Sequence, residues 1–209
     1  MKKLTDLFCH VDDFCKAFLP QWQKLQLESG ERKRNRKGRM SESEIMTIVI
    51  AFHMSHQRDF KNYYLGIIHR YYKNEFPTLL SYTRFLEVMP SVLIPLSSFF
   101  THVKGEPTGI EFIDSTSIKV CHNLRIPRHK VLKPKVLAAW DRAMLSKRFI
   151  IETINDQLKN ISQIEHSRHR SLHGFMLNLL GGLIAYCLKP EKPSLNITTT
   201  EKSGLMAMA

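Results

Sequence analysis

Gly109–Asn123 reads GIEFIDSTSIKVCHN. Ile110, Phe112 and Ile113 lead into a single carboxylate, Asp114, which is followed by Ser115, Thr116 and Ser117. Ile118, Val120 and Cys121 then alternate around Lys119, the period-two pattern of a strand or hairpin. A carboxylate at the end of a strand beside a basic loop is placed to hold a divalent cation against a phosphate. Asp followed by Ser-Thr-Ser is also ordinary turn chemistry, because these side chains bond local backbone groups. Spacing alone leaves both open.

Upstream, GEPTG at Gly105–Gly109 marks a boundary, and before it the spacing is helical. Leu4, Leu7, Phe8, Val11, Phe14, Cys15, Phe18 and Leu19 recur at three and four, an amphipathic helix with Pro20 near its end. Between Gly30 and Arg39 stand six cations, Arg32, Lys33, Arg34, Arg36, Lys37 and Arg39, against one acid, a solvated loop able to neutralise DNA phosphates. Ser41 and Glu44 have the spacing of a capping box, and Ile45, Ile48, Val49 and Phe52 predict one apolar face on the helix that follows. A second helix is expected over about Phe60–Tyr72. A further helix or two should cover SYTRFLEVMPSVLIPLSSFF, with a break near Pro90 and Pro95.

Downstream, NLRIPRHKVLKP is a basic loop by composition, Val136–Ile161 returns to helical spacing, and Leu172–Leu188 is apolar on nearly all sides. Three regions are expected: a basic helical unit at 1–105 that binds DNA, a unit at 106–190 containing the β signal, and a flexible tail at 191–209. The fold class expected is mainly α with a short β element around residues 110–121.

The 209 residues carry 31 Lys and Arg against 19 Asp and Glu, a net charge of +12 that favours a polyanionic partner. No apolar run approaches the roughly 20 residues of a membrane span, and Asp6, Asp12 and Asp13 interrupt any leader-like segment, so no membrane partner and a cytoplasmic location are expected. Four scattered cysteines read as free thiols. Cys9, His10 and Cys15 lack paired zinc spacing. His166, His169 and His173 stand beside Arg168 and Arg170, which favours a solvated or phosphate-facing surface over a metal face.

A second carboxylate block is RFIIETINDQLK. Arg148, Glu152 and Lys159 sit at minus four, zero and plus seven, on one face of an uninterrupted helix. On spacing alone the favoured reading is a solvated face with an ordinary Arg148–Glu152 pair.

GIEFIDSTSIKVCHN together with KRFIIETINDQLKNISQIEHSRHRS resembles the DDE transposases of bacterial insertion sequences, and the likeness runs from Leu4 to about Leu195. The resemblance implies an RNase H-like α/β core in which an Asp on the first strand, an Asp on a later strand and a helical Glu hold two Mg²⁺ or Mn²⁺ ions. Carried over, Asp114 matches the first Asp and Glu152 the Glu, both as catalytic metal ligands, while Arg148 and Lys159 match the supporting basic positions of the Glu signature. Leu145 stands where that signature has Tyr. The implied partners are DNA, specifically the terminal inverted repeats of an element, and further copies of the chain in a homo-oligomer. The implied location is at the nucleoid.

The second Asp has no counterpart. Only 37 residues separate Asp114 from Glu152, and the join falls near HKVLKPKVLAAW, as an internal deletion would leave it. Asp141 lies about 16 Å from Glu152 along one helix, too far for metals about 4 Å apart, and Asp156 approaches from the same helix as Glu152. The expectation is therefore an incomplete RNase H-like core and defective metal-dependent phosphodiester cleavage and strand transfer. The alternative is a non-catalytic DNA-binding regulator that competes with intact transposase.

Overall fold

The computed structural model describes residues 2–30, 38–105, 149–164 and 171–193. Helix α1 (Lys2–Glu28) buries Leu7, Val11 and Cys15, one residue per turn. It ends as Ser29 N–H donates to the Leu25 carbonyl and Gly30 N–H to that of Leu27, with Gly30 at φ +74°, a left-handed terminator that glycine adopts without strain.

Helix α2 (Glu42–Met54) opens on the capping box expected from its sequence: Ser41 Oγ accepts from Glu44 N–H at 3.2 Å, and Ser41 N–H donates to Glu44 Oε2 at 2.7 Å. It is buried on every side from Ile45 to His53, where the sequence predicts a single apolar face. Thr47 tolerates this because its hydroxyl donates to the Ser43 carbonyl at 2.7 Å.

Helix α3 (Phe60–Tyr63) widens into a π-helical segment, Tyr64–Ile68, and tightens again into α4 (His69–Tyr71). Tyr63 and Tyr64 are both buried, and the Tyr64 hydroxyl donates to the Leu80 carbonyl at 2.7 Å. Burial pushes the Tyr64 phenol up to about 12 and raises that of Tyr63 as well.

Helix α5 (Tyr82–Val88) runs into a 3₁₀ turn at Met89–Val92 and then α6 (Leu93–Val103). The break expected at Pro90 is this turn. Pro95 causes none, since it sits in the first turn of α6, where its missing N–H would have had no helical partner. The 22 residues Tyr82–Val103 are long and apolar enough to cross a membrane by length and composition alone. They also contain Arg84 and Glu87, paired at 2.5 Å, and they bury Phe85, Val92, Leu96 and Phe99 in the protein core.

Helix α7 (Phe149–Asp156) continues through a second π segment, Gln157–Ile161, and a bend leads towards α8 (Leu172–Cys187). Helix α8 packs against both α2 and α6, while α1 packs on α2 and α6 from its own side. That dual contact explains why α8 is apolar almost all round, with Leu177, Leu180, Ile184 and Ala185 buried in the same core as α1, α2 and α6.

The expected fold class requires correction. Among the described residues the chain is all helical, and no strand or sheet is present. The anticipated β element at 110–121 lies outside the described residues. What the described residues show in place of an incomplete RNase H-like α/β core is helix-on-helix packing, with Leu177, Leu180, Ile184 and Ala185 of α8 buried against α2 and α6.

The three described cysteines differ in accessibility. Cys9 is exposed, Cys187 is half-buried, and Cys15 is buried with its sulfur 3.7 Å from that of Met46. Desolvation, aided by the nearby Asp12 and Glu42 charges, pushes the Cys15 thiol up to about 12. Alkylation at pH 8 with mass-spectrometric readout should therefore modify Cys9 rapidly and Cys15 only after denaturant is added.

Candidate functional site

Glu152 lies in the first turn of α7, exposed, and has no hydrogen-bond or ion-pair partner among the described residues. Acidic side chains there are favoured by the positive end of the helix. Asp156, one turn further on, is also exposed and accepts from Asn160 Nδ2 at 2.5 Å. Lys159 is half-buried inside the π segment. Because the helix widens from Gln157 onwards, the register from Glu152 to Lys159 is not that of a continuous α-helix. Arg148 and Asp114 lie outside the described residues.

Two residues unused in the sequence-based site hold this helix in place. His53, buried near the end of α2, has Nδ1 2.7 Å from the Ser162 carbonyl, which makes that nitrogen the donor. Asn178, buried on α8, donates through Nδ2 to the Ile164 carbonyl at 3.3 Å. Gly181 and Gly182 make the approach possible. A Cβ on Gly181 would lie 2.7 Å from the His53 ring, and one on Gly182 would lie 2.3 Å from Ile164 Cγ2. Bend 162–164 is thus clamped between α2 and α8. The signal for His53 was its place four residues after Val49, in line with the apolar face of α2; the glycine pair was visible too, without a partner to explain it.

No group of three His, Cys, Asp or Glu side chains comes together to hold a metal ion among the described residues. Glu152 is a single available carboxylate, and Mg²⁺ is usually bound by one or two carboxylates together with waters and substrate phosphates. The described residues alone do not fit a two-ion centre.

Of the basic run, Arg32, Lys33, Arg34, Arg36 and Lys37 lie outside the described residues. Arg39 is described and exposed, and it lines a cavity of about 600 Å³ with Trp22, Glu42, Arg84, Ile94 and His173. His173 stands at the start of α8; His166 and His169 are outside the described residues.

Residues 104–136 and 132–172 match the family model of the transposase DDE domain. Over these residues the chain is similar to the DDE domain of transposases, a domain that in general depends on divalent metal ions and acts on DNA. No curated protein and no solved structure shows significant similarity to the chain.

Proposed function

We propose that this chain is an insertion-sequence transposase whose DDE region has lost its middle, so that it binds DNA, including the terminal inverted repeats of its element, without completing phosphodiester cleavage. The observation that carries the reading is the form of the family match. It comes as two segments that meet at residues 132–136, with Asp114 in the first and Glu152 in the second. A deletion between them would produce such a pattern, and its position coincides with HKVLKPKVLAAW.

Asp114 and Glu152 are the two remaining members of the metal-binding set in this reading, and Arg148 and Lys159 are the basic residues that support Glu152. In an intact centre these carboxylates would hold Mg²⁺ or Mn²⁺, which would supply activation of a water or a 3′ hydroxyl and stabilisation of the leaving oxygen. With the second Asp missing, two carboxylates and one helix face remain, and cleavage is not expected. Binding does not need that centre. It rests on the excess of positive charge and on Arg32, Lys33, Arg34, Arg36, Lys37 and Arg39, whose contacts would go to phosphates. Such a binder occupies element ends in competition with an intact transposase.

The reading is tested on labelled duplex bearing the inverted repeats. Purified protein should shift the duplex and leave it uncut in Mg²⁺ or Mn²⁺. Metal-dependent cleavage that disappears in Asp114→Ala would overturn the defect. Binding should fall steeply with salt, and Arg34→Ala/Arg36→Ala should reduce the slope of log K against log salt by about 2. A slope near zero in the parent protein would remove the DNA-binding reading.

A further inference from the structure

The cavity beside Arg39 combines two features that point to one kind of ligand. Trp22, half-buried on α1, lines it; its ring stacks on Phe18 at 6.2 Å between centroids and 19° between planes, and Phe18 stacks on Phe14 at 5.3 Å. The indole is thereby held by a ladder of rings at four-residue spacing along one helix. Ile94, 53% exposed, adds an apolar surface that nothing covers among the described residues.

The second feature is charge. Arg39 is exposed and has no carboxylate partner among the described residues, while Arg84 is steadied by Glu87 at 2.5 Å and also faces the cavity. Among the described residues Glu42 is the one acid on the wall, against these two guanidinium groups and His173. In sequence the wall at Gly38 follows directly on the run from Arg32 to Lys37. A cavity of this size, lined by an indole and two guanidinium groups, suits a ligand that joins a planar ring to an anion.

We propose that this cavity takes one unpaired nucleotide of a bound DNA strand, with its base against Trp22 and its phosphate on Arg39 and Arg84. Base–aromatic stacking tolerates any base, and phosphate contacts set position without reading sequence, so the site favours single-stranded or unstacked DNA over a particular sequence. A base inside a duplex keeps its faces stacked on its neighbours and reaches such a pocket only when turned out of the helix. The proposal rests on the DNA-binding reading and extends it from the basic run to a defined pocket.

The chain has two tryptophans, Trp22 and Trp140, so a Trp140→Phe variant reports on Trp22 alone. Titration with a single-stranded oligothymidylate is expected to quench its emission to saturation. Trp22→Ala should weaken single-strand binding by about five- to hundredfold, Trp22→Phe should retain most of the affinity, and the salt slope for duplex should be unchanged in both. Arg39→Ala should lower single-strand affinity without abolishing quenching at saturation. Normal duplex binding without Trp22 quenching, with Trp22→Ala as tight as parent on single strands, would overturn the pocket and leave the DNA reading standing. Equal quenching by a polyglutamate would also overturn it, since any polyanion would then serve. Loss of all DNA binding by the parent protein would remove both.

Discussion

Phe85→Ala is expected to lower the unfolding free energy by about 3–5 kcal/mol, the range for emptying a buried aromatic site. Phe85 is fully buried, and its ring lies 4.7 Å from that of Tyr64 and 5.8 Å from that of Phe60. Tyr64 is itself fixed through its hydroxyl to the Leu80 carbonyl, so the neighbours have little freedom to collapse into the space. Phe60 also packs edge-on against Phe52 of α2, which ties α3 and α5 to the central helix. The measurement is a urea midpoint that falls while the slope of the transition stays constant. Phe85→Leu, which refills most of the volume, should lose much less. If alanine cost under 1 kcal/mol, the ring cluster would not be the packed core described above.

Gly182→Val should cost about 3 kcal/mol, at the upper end for forcing extra carbons into a packed site. Replacing a helical glycine normally favours the helix, but valine recovers only part of that difference because its branched side chain is restricted there. The steric term wins, since even a Cβ at this position meets Ile164 Cγ2 at 2.3 Å and Ser162 Cβ at 3.6 Å. Ile164 is buried, and its carbonyl is held by Asn178, so the bend cannot simply move aside. Hydrogen exchange separates the two effects: amides of the π segment and the bend should lose protection first, while those of α2 follow the global stability. Uniform loss throughout the chain would show that the bend is not separately clamped.

How much could be read beforehand depended on how local each interaction was. The capping box at Ser41–Glu44 and the turn at Pro90 were visible because they depend on residues three or four apart, or on a single ring. The continuous apolar character of α8 was visible as well, and its burial followed. The single face assigned to α2 fell short because Ser43, Thr47 and His53 interrupt the apolar pattern, and their burial rests on hydrogen bonds to the Ser41 hydroxyl and to the Ser43 and Ser162 carbonyls. Neither π segment had a signal in the spacing. The all-helical packing of the described residues was missed for a related reason: a family resemblance carried an α/β core with it, while the contacts of α8 are long-range and leave no local trace. Of the candidate site, Glu152 stands on an exposed helical turn, as its spacing suggested, and Lys159 is displaced in register by the widened helix.

The contact between His53 and Ser162 joins residues 109 positions apart. Closing a loop of that kind costs conformational entropy that grows only with the logarithm of its length, about 0.6 kcal/mol for each doubling. Shortening the chain between α6 and α7 therefore leaves the helical body no harder to assemble, and makes it slightly easier. A lineage that lost residues between Asp114 and Glu152 would keep the topology that brings α8 between α2 and α6, because the ends being joined belong to helices and not to the excised segment. On the function proposed above, the part that meets DNA through its amino-terminal charges can then outlast the part that cut it.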